Sequence, residues 1–235
     1  VLKGRNIVTD IQSSSLIDAA LQQMKKAIIC CELLPGDKLK VAELSKTYGL
    51  SSSPIREALN RLTQEGIVTA SEKKGFRVSA MSVEDFQEIV RLRCLLEAEA
   101  LSDAIQYGDD NWEADILGAY HRLSLIEQKL GDEPVALNDD WSRRHKAFHF
   151  ALFSGCQSPL LMSMIDSLFD RAERYRRFSS RYRTAARHKQ GEHKKLMDAV
   201  LERRSADACE LQKRHVTGTL KYVTEVLERH GATLQ

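Results

Sequence analysis

The chain has 235 residues, 43% of them hydrophobic and 29% charged, with a formal net charge of +2. That length accommodates two domains with buried cores. No apolar run approaches the ~20 residues of a membrane helix, and the start lacks the apolar centre of a signal peptide. Cys30, Cys31, Cys94, Cys156 and Cys209 show no C-x-x-C pairing or disulfide-framework spacing, which predicts reduced thiols in a cytoplasmic protein. Charge is unevenly spread. Residues 1–80 carry 12 Lys/Arg against 8 Asp/Glu, and the remainder 23 against 25. A modestly basic N-terminal module followed by a faintly acidic one is compatible with nucleic-acid binding.

Residues 1–14 are polar and read as a flexible tail. Ser15 is placed to cap a helix carrying Leu16, Ala20, Met24, Ala27 and Ile28 on one face. A turn at Pro35-Gly36 leads to Leu39, and Ala42 to Tyr48 is a short helical pattern ended by Gly49. Leu50 to Ser52 supplies a turn, Ser53 is a good N-cap, and Pro54 falls at the first helical position. Ile55, Ala58, Leu59 and Leu62 recur at helical spacing, leaving Arg56, Asn60 and Arg61 outside. Gly66 closes this helix, and two β-type runs, 67–69 and 76–79, flank a Lys73-Lys74-Gly75 tip. Any single piece would suit an ordinary α/β subdomain; the ordered set over residues 15–80 describes a winged helix-turn-helix. Such a head reads DNA with Ser51, Ser52, Ser53, Arg56 and Asn60 toward the groove, and Lys40, Arg61, Lys73, Lys74 and Arg77 toward phosphates.

The second domain spans residues 82–231 and opens on a capping-box-like Ser82-Val83-Glu84-Asp85. From there about six helices are predicted: 83–106, 112–130, 135–154, 158–178, 187–203 and 205–229. No strand signal follows Ser79. The fold class is mainly α, a winged head followed by an all-α antiparallel bundle.

Two constellations in the bundle carry chemistry. His145 and His149 lie at i, i+4, one helical turn apart on one face, a bidentate platform for a divalent ion. His193 and His215 lie on later helices that a bundle can bring to the same place. Imidazoles suit zinc, nickel, copper or iron(II). Spacing alone leaves open that these histidines are satisfied core or surface groups, and His121, His188 and His230 read as surface residues. Arg93, on a core-facing stripe, needs an anion: Glu97 one turn on, or the carboxylate of a ligand. The run Arg171 to Arg177 reads as a solvated face from which one arginine could reach the same place.

With these motifs in hand, the chain resembles the GntR superfamily of bacterial transcription regulators, in the FadR-type branch with a C-terminal FCD domain. Pro35-Gly36 with Leu39, Ser53-Pro54-Ile55-Arg56-Glu57-Ala58-Leu59, Gly66-Ile67-Val68 and Gly75-Phe76 with Val78 carry the likeness in the head. Arg93 to Glu97, Phe148-His149, Glu192-His193 and His215 carry it in the body. The resemblance implies a homodimer on palindromic operator DNA and a site with three histidine ligands. It also implies a divalent metal, zinc or nickel, and a small carboxylic acid effector held with Arg93, such as a C4–C6 acid like glutarate. Repression is the expected mode. Two departures stand out. His145 occupies the place of the family's Asp, and Ser52 the place of an Arg before the recognition helix. Two rival readings, a metal-dependent hydrolase and a metal-sensing regulator, differ in whether substrate is turned over and how tightly the ion is held.

Overall fold

The computed structural model describes residues 7–71, 74–130, 138–182 and 191–230, without the side chains of 7–15 and 130. The chain divides into two compact units, one ending at Met81 and the other beginning at Ser82.

In the first unit, α1 (Ile7–Ile29), α2 (Val41–Tyr48) and α3 (Ser52–Gln64) pack beside a small antiparallel sheet. Helix α1 begins at Ile7, so the flexible tail expected to run to residue 14 is helical over its second half. Ser13 to Ser15 lie inside the helix: serine's capping preference is weak beside a backbone ladder already under way. Ala20, Met24 and Ile28 of α1 close on Leu44, Ile55, Ala58, Leu59 and Leu62, all buried. Leu16, expected on this face, is 48% exposed, one turn beyond the core.

Helix α2 ends where Gly49 adopts φ +65°, a left-handed conformation that a side chain disfavours, and the Gly49 N–H returns to the Ser45 carbonyl. Helix α3 begins two residues earlier than predicted, with Ser51 in place of Ser53 at the N-cap and Pro54 at the third helical position. Proline is tolerated there because no N–H in the first turn has an intrahelical acceptor. The Ile67 N–H returns to the Leu62 carbonyl at 3.2 Å, which closes α3 through Gly66.

The sheet has three strands, β1 (Lys38–Leu39) between α1 and α2, and β2 (Val68–Ser71) and β3 (Gly75–Val78) after α3, in the order β1-β3-β2. The wing pairs Val68 with Val78 and Ser71 with Gly75, while β1 pairs Lys38 with Arg77. The two-residue β1 was not predicted. It is too short for a periodic signal and exists because β3 offers it a free edge.

The second unit is helical: α4 (Val83–Tyr107), α5 (Asp110–Leu130), α6 (Asp139–Phe153), α7 (Pro159–Tyr182), α8 (Glu192–Leu201), α9 (Ser205–Thr217) and α10 (Leu220–His230). Seven helices are described where six were predicted, because 205–229 breaks at Gly218, the C-cap of α9. The predicted starts at residues 135 and 187 fall outside the described residues. Helix α6 starts at Asp139, with the Asn138 side chain accepting from the Trp141 N–H at 2.7 Å. Helix α4 starts as its sequence predicts, Ser82 accepting from the Asp85 N–H at 3.1 Å.

Helix α4 packs against α7 and α9, and α5 against α6. The core between them holds Leu101, Ile116, Leu123, Phe148, Leu152, Phe153, Ile165 and Val200. At Gly155 a Cβ would lie 2.9 Å from the Ala104 carbonyl oxygen, so the chain leaving α6 runs against the α4 backbone. A Gly155→Ala variant is expected to lose about 1–3 kcal/mol by overpacking, read as a lower urea midpoint for loss of helical circular dichroism. An unchanged midpoint would show that this approach relaxes freely.

Candidate functional site

In the head, Ser52, Arg56 and Asn60 recur every four residues along α3 and all are exposed, which places them on one stripe. Ser51 and Ser53, also exposed, sit beside its N-terminal end. Lys74 is exposed at the wing tip, and Lys73 lies outside the described residues. Three predicted phosphate contacts have partners within the head. Lys40 pairs with Glu43 at 2.7 Å in an exposed contact that costs little to exchange. Arg77 donates to the Gly36 carbonyl at 2.8 Å and ties the wing to the Pro35-Gly36 turn. Arg61 donates to Asp18 on α1 at 3.0 Å and to Glu57 at 3.3 Å, so it braces α3 against α1.

In the body, His145 and His149 of α6, His193 of α8 and His215 of α9 converge. All four are buried, and one ring nitrogen from each lies within 4.8 Å of the others. The His145 Nε2 is 3.2 Å from that of His149 and 3.4 Å from that of His215. Helical spacing sets the first pair, and the packing of α8 against α9 brings the second pair to it. Trp141 stacks on the His145 ring at 4.4 Å between centroids, and Phe148 and Phe169 close further faces of the cluster.

The outer nitrogens of three rings meet charged side chains. Glu192 Oε2 lies 2.9 Å from His215 Nδ1, and Glu127 Oε1 lies 3.0 Å from His193 Nδ1. At His215, where the contact is a hydrogen bond, the carboxylate favours a proton on the outer nitrogen and leaves the inner lone pair for a cation. At His145 the outer neighbour is instead the Arg176 guanidinium, with Nη1 3.3 Å from Nδ1.

Arg93 and Glu97 form a buried pair at 2.6 Å, and Glu97 also accepts from Gln212 at 2.6 Å. Of the two anions considered for Arg93, the intrahelical one is therefore in place. The Arg93 guanidinium lies 4.7 Å from the Phe169 ring centroid, as does that of Arg176, so two cations share one ring at the edge of the cluster. The segment from Arg171 to Arg177, expected on a solvated face, is largely buried. Arg176 and Arg177 both pair with Glu173. Five residues beyond Arg177, the Tyr182 ring packs on His230.

Tyr175, next to Arg176, faces the start of α4. Its hydroxyl donates to Asp85 at 2.7 Å and accepts from the Ser82 N–H at 3.2 Å. Burial, then the Asp85 charge, push its phenol far above the ordinary range, so it stays a donor at any working pH. Sequence reading missed Trp141, Phe169 and Glu127. A lone aromatic or carboxylate on a helix carries no signal for a contact made by another helix.

Residues 16–78 match the family model described as bacterial regulatory proteins, gntR family, and residues 88–218 match the FCD domain. The chain belongs to the GntR family and carries an FCD domain. It is 36% identical over 208 residues to the HTH-type transcriptional repressor GlaR of Escherichia coli K12, covering 87% of this chain and 94% of that protein. It is 33% identical over 211 residues to BphR of Paraburkholderia xenovorans LB400, an uncharacterised HTH-type transcriptional regulator, covering 90% and 86%. The solved structure of E. coli McbR/YncC shares the fold, with a TM-score of 0.69 at 20% identity over 93% of this chain and 96% of that one. The protein is thus a DNA-binding transcription regulator with an effector-binding domain, in a family of regulators and not of enzymes. No helix among the described residues is long and apolar enough to cross a membrane.

Replacing Glu97 with Ala leaves Arg93 buried without its carboxylate. We expect a loss of roughly 3–5 kcal/mol, the usual cost of breaking a buried pair from one side, measured by denaturant unfolding of the full chain. A loss below about 1 kcal/mol, the scale of an exposed pair, would mean that water reaches Arg93.

Proposed function

We propose that this protein is a homodimeric repressor that holds a divalent metal ion in its FCD domain and leaves operator DNA on binding a small carboxylate. The observation that carries the reading is the convergence of His145, His149, His193 and His215, buried, with ring nitrogens within 4.8 Å of one another. An all-imidazole set fits a borderline divalent ion, zinc or nickel ahead of calcium or magnesium. The carboxylates behind His193 and His215 are those that ligand imidazoles ordinarily have. When bound, such an ion supplies a Lewis-acidic position for an anionic oxygen.

Arg93 supplies positive charge at the edge of the same site. Its pairing with Glu97 does not use the whole guanidinium: the contact runs through Nε, and the group has further N–H donors. A carboxylate between ion and guanidinium makes a contact that exists only in the loaded state, and that difference is what shifts a two-state equilibrium. Repression is inferred from the 36% identity to a protein named as a repressor. A dimer suits the head, since paired recognition helices read two half-sites. On α3, Arg56 and Asn60 take base edges with Ser51, Ser52 and Ser53 alongside; Lys40, Lys73, Lys74 and Arg77 take phosphates, and Arg61 braces the helix. The metal-sensor reading differs only in that the ion itself is the signal.

Arg56→Ala is expected to weaken operator binding by roughly 1–3 kcal/mol in fluorescence anisotropy, with the fold intact because Arg56 is exposed. Wild-type affinity would remove α3 as the reading helix. For the effector, a thermal-shift screen of C4–C6 organic acids finds the ligand. Arg93→Gln, which keeps a donor for Glu97, should then retain operator binding and lose release by that acid. Superimposable release curves for wild type and variant would leave Arg93 a purely structural role.

A further inference from the structure

We infer that Gln212 selects the effector by accepting a hydrogen bond from it, so that the ligand is a hydroxylated carboxylic acid and not a plain one. The inference rests on the reading above of a metal and a small carboxylate, and adds a second recognised group to it.

Gln212 lies on α9 and is 1% exposed. Its Nε2 donates to Glu97 Oε2 at 2.6 Å, and the other Glu97 oxygen accepts from Arg93 Nε at 2.6 Å. A carboxylate paired with a guanidinium only accepts, which fixes the amide: its N–H groups face Glu97 and its oxygen faces away. That oxygen, Oε1, is buried and has no donor among the described residues. A buried amide oxygen without a donor is costly, and an apolar side chain of similar size would avoid the cost. The amide is suited to a donor that arrives with a ligand.

The surroundings say what that ligand carries. His215 stands three residues further along α9 and is also buried, so the two side chains share a face of the helix. Gln212 therefore adjoins the imidazole cluster on one side and the Arg93–Glu97 pair on the other, the two places that the proposed carboxylate spans. Both a hydroxyl and an ammonium could donate to Oε1. An ammonium would add positive charge to a site that already holds Arg93 and Arg176, each 4.7 Å from the Phe169 ring centroid, beside the ion. A hydroxyl adds none.

The carboxylate of such an acid goes to the ion and to the remaining N–H groups of Arg93, and its hydroxyl donates to Gln212 Oε1. The parent acid without the hydroxyl leaves Oε1 buried and unpaired. A site built to pair with a hydroxyl discriminates against the analogue that lacks it.

The test uses the full chain loaded with zinc and isothermal titration with matched acids: malate against succinate, then 2- and 3-hydroxyglutarate against glutarate, with both enantiomers where they exist. The variants are Gln212→Met, similar in length and without the amide oxygen, and Gln212→Lys, which keeps a donor toward Glu97 and has no acceptor. Wild type should bind the best hydroxy acid at least about tenfold more tightly than its parent, and in both variants that ratio should fall to within about threefold of one. Taking the ratio cancels any general effect on the carboxylate, and if one variant fails to fold the other carries the comparison. Equal affinity in wild type overturns the inference alone, and a trapped water then satisfies Oε1. A preference that persists in the variants also overturns it, since chelation of the ion by hydroxyl and carboxylate needs no glutamine. Wild-type protein that takes up zinc but binds none of the acids overturns the carboxylate reading, and protein that takes up no zinc overturns the metal reading; this inference falls with either.

Discussion

Four imidazoles cannot be buried edge to edge unless every inner lone pair meets a proton or a cation. In water each ring nitrogen has its own partner; in an apolar interior an unmatched one costs several kcal/mol. The cluster of His145, His149, His193 and His215 is buried against Trp141, Phe148 and Phe169, and much of the FCD domain is arranged around meeting that requirement. Helix α6 presents one pair of rings, and α8 and α9 present one each. Carboxylates on α5 and α8 stand behind two of them, and Arg176 of α7 stands behind a third.

This arrangement makes α7 the helix with the most varied duties. Phe169 takes one face of the cluster and lies against both Arg93 and Arg176. Tyr175 holds Asp85 and the Ser82 N–H at the N-cap of α4, the point at which the second unit begins. Arg176, one residue on, touches His145. A shift of α7 large enough to free Arg176 therefore also bears on the start of α4, because neighbouring residues of one helix are rigidly related. The buried pairs Arg93–Glu97 and Arg176–Glu173 fix these guanidinium groups and oppose drift of the helices that carry them.

Much of this was legible in the sequence where a local rule applied. The recognition helix was marked by its apolar spacing from Ile55 to Leu62 and by Gly66, and the wing by its basic glycine tip. The i, i+4 spacing marked His145 and His149 as one face, and bundle packing, with the resemblance to the FCD branch, brought in His193 and His215. What was not legible depended on several elements at once. Strand β1 exists only because β3 pairs with it, and the basic run of α7 is buried only because Glu173 and Asp139 meet its arginines. Helix α1 starts before Ser15 because a strong serine cap signal yields to a helix already propagating. The break at Gly218 was hidden by the apolar pattern on both sides of it.

The account turns on whether the imidazole cluster holds an ion, and the most direct measurement is the metal content of each chain. Native mass spectrometry of the full-length protein, reconstituted with zinc or nickel and freed of excess, should show one divalent ion per chain. A His149→Ala, His193→Ala double variant that still folds should show none. Wild-type protein carrying no ion after reconstitution, or a double variant that keeps it, would contradict the account and leave the four histidines as packed core residues.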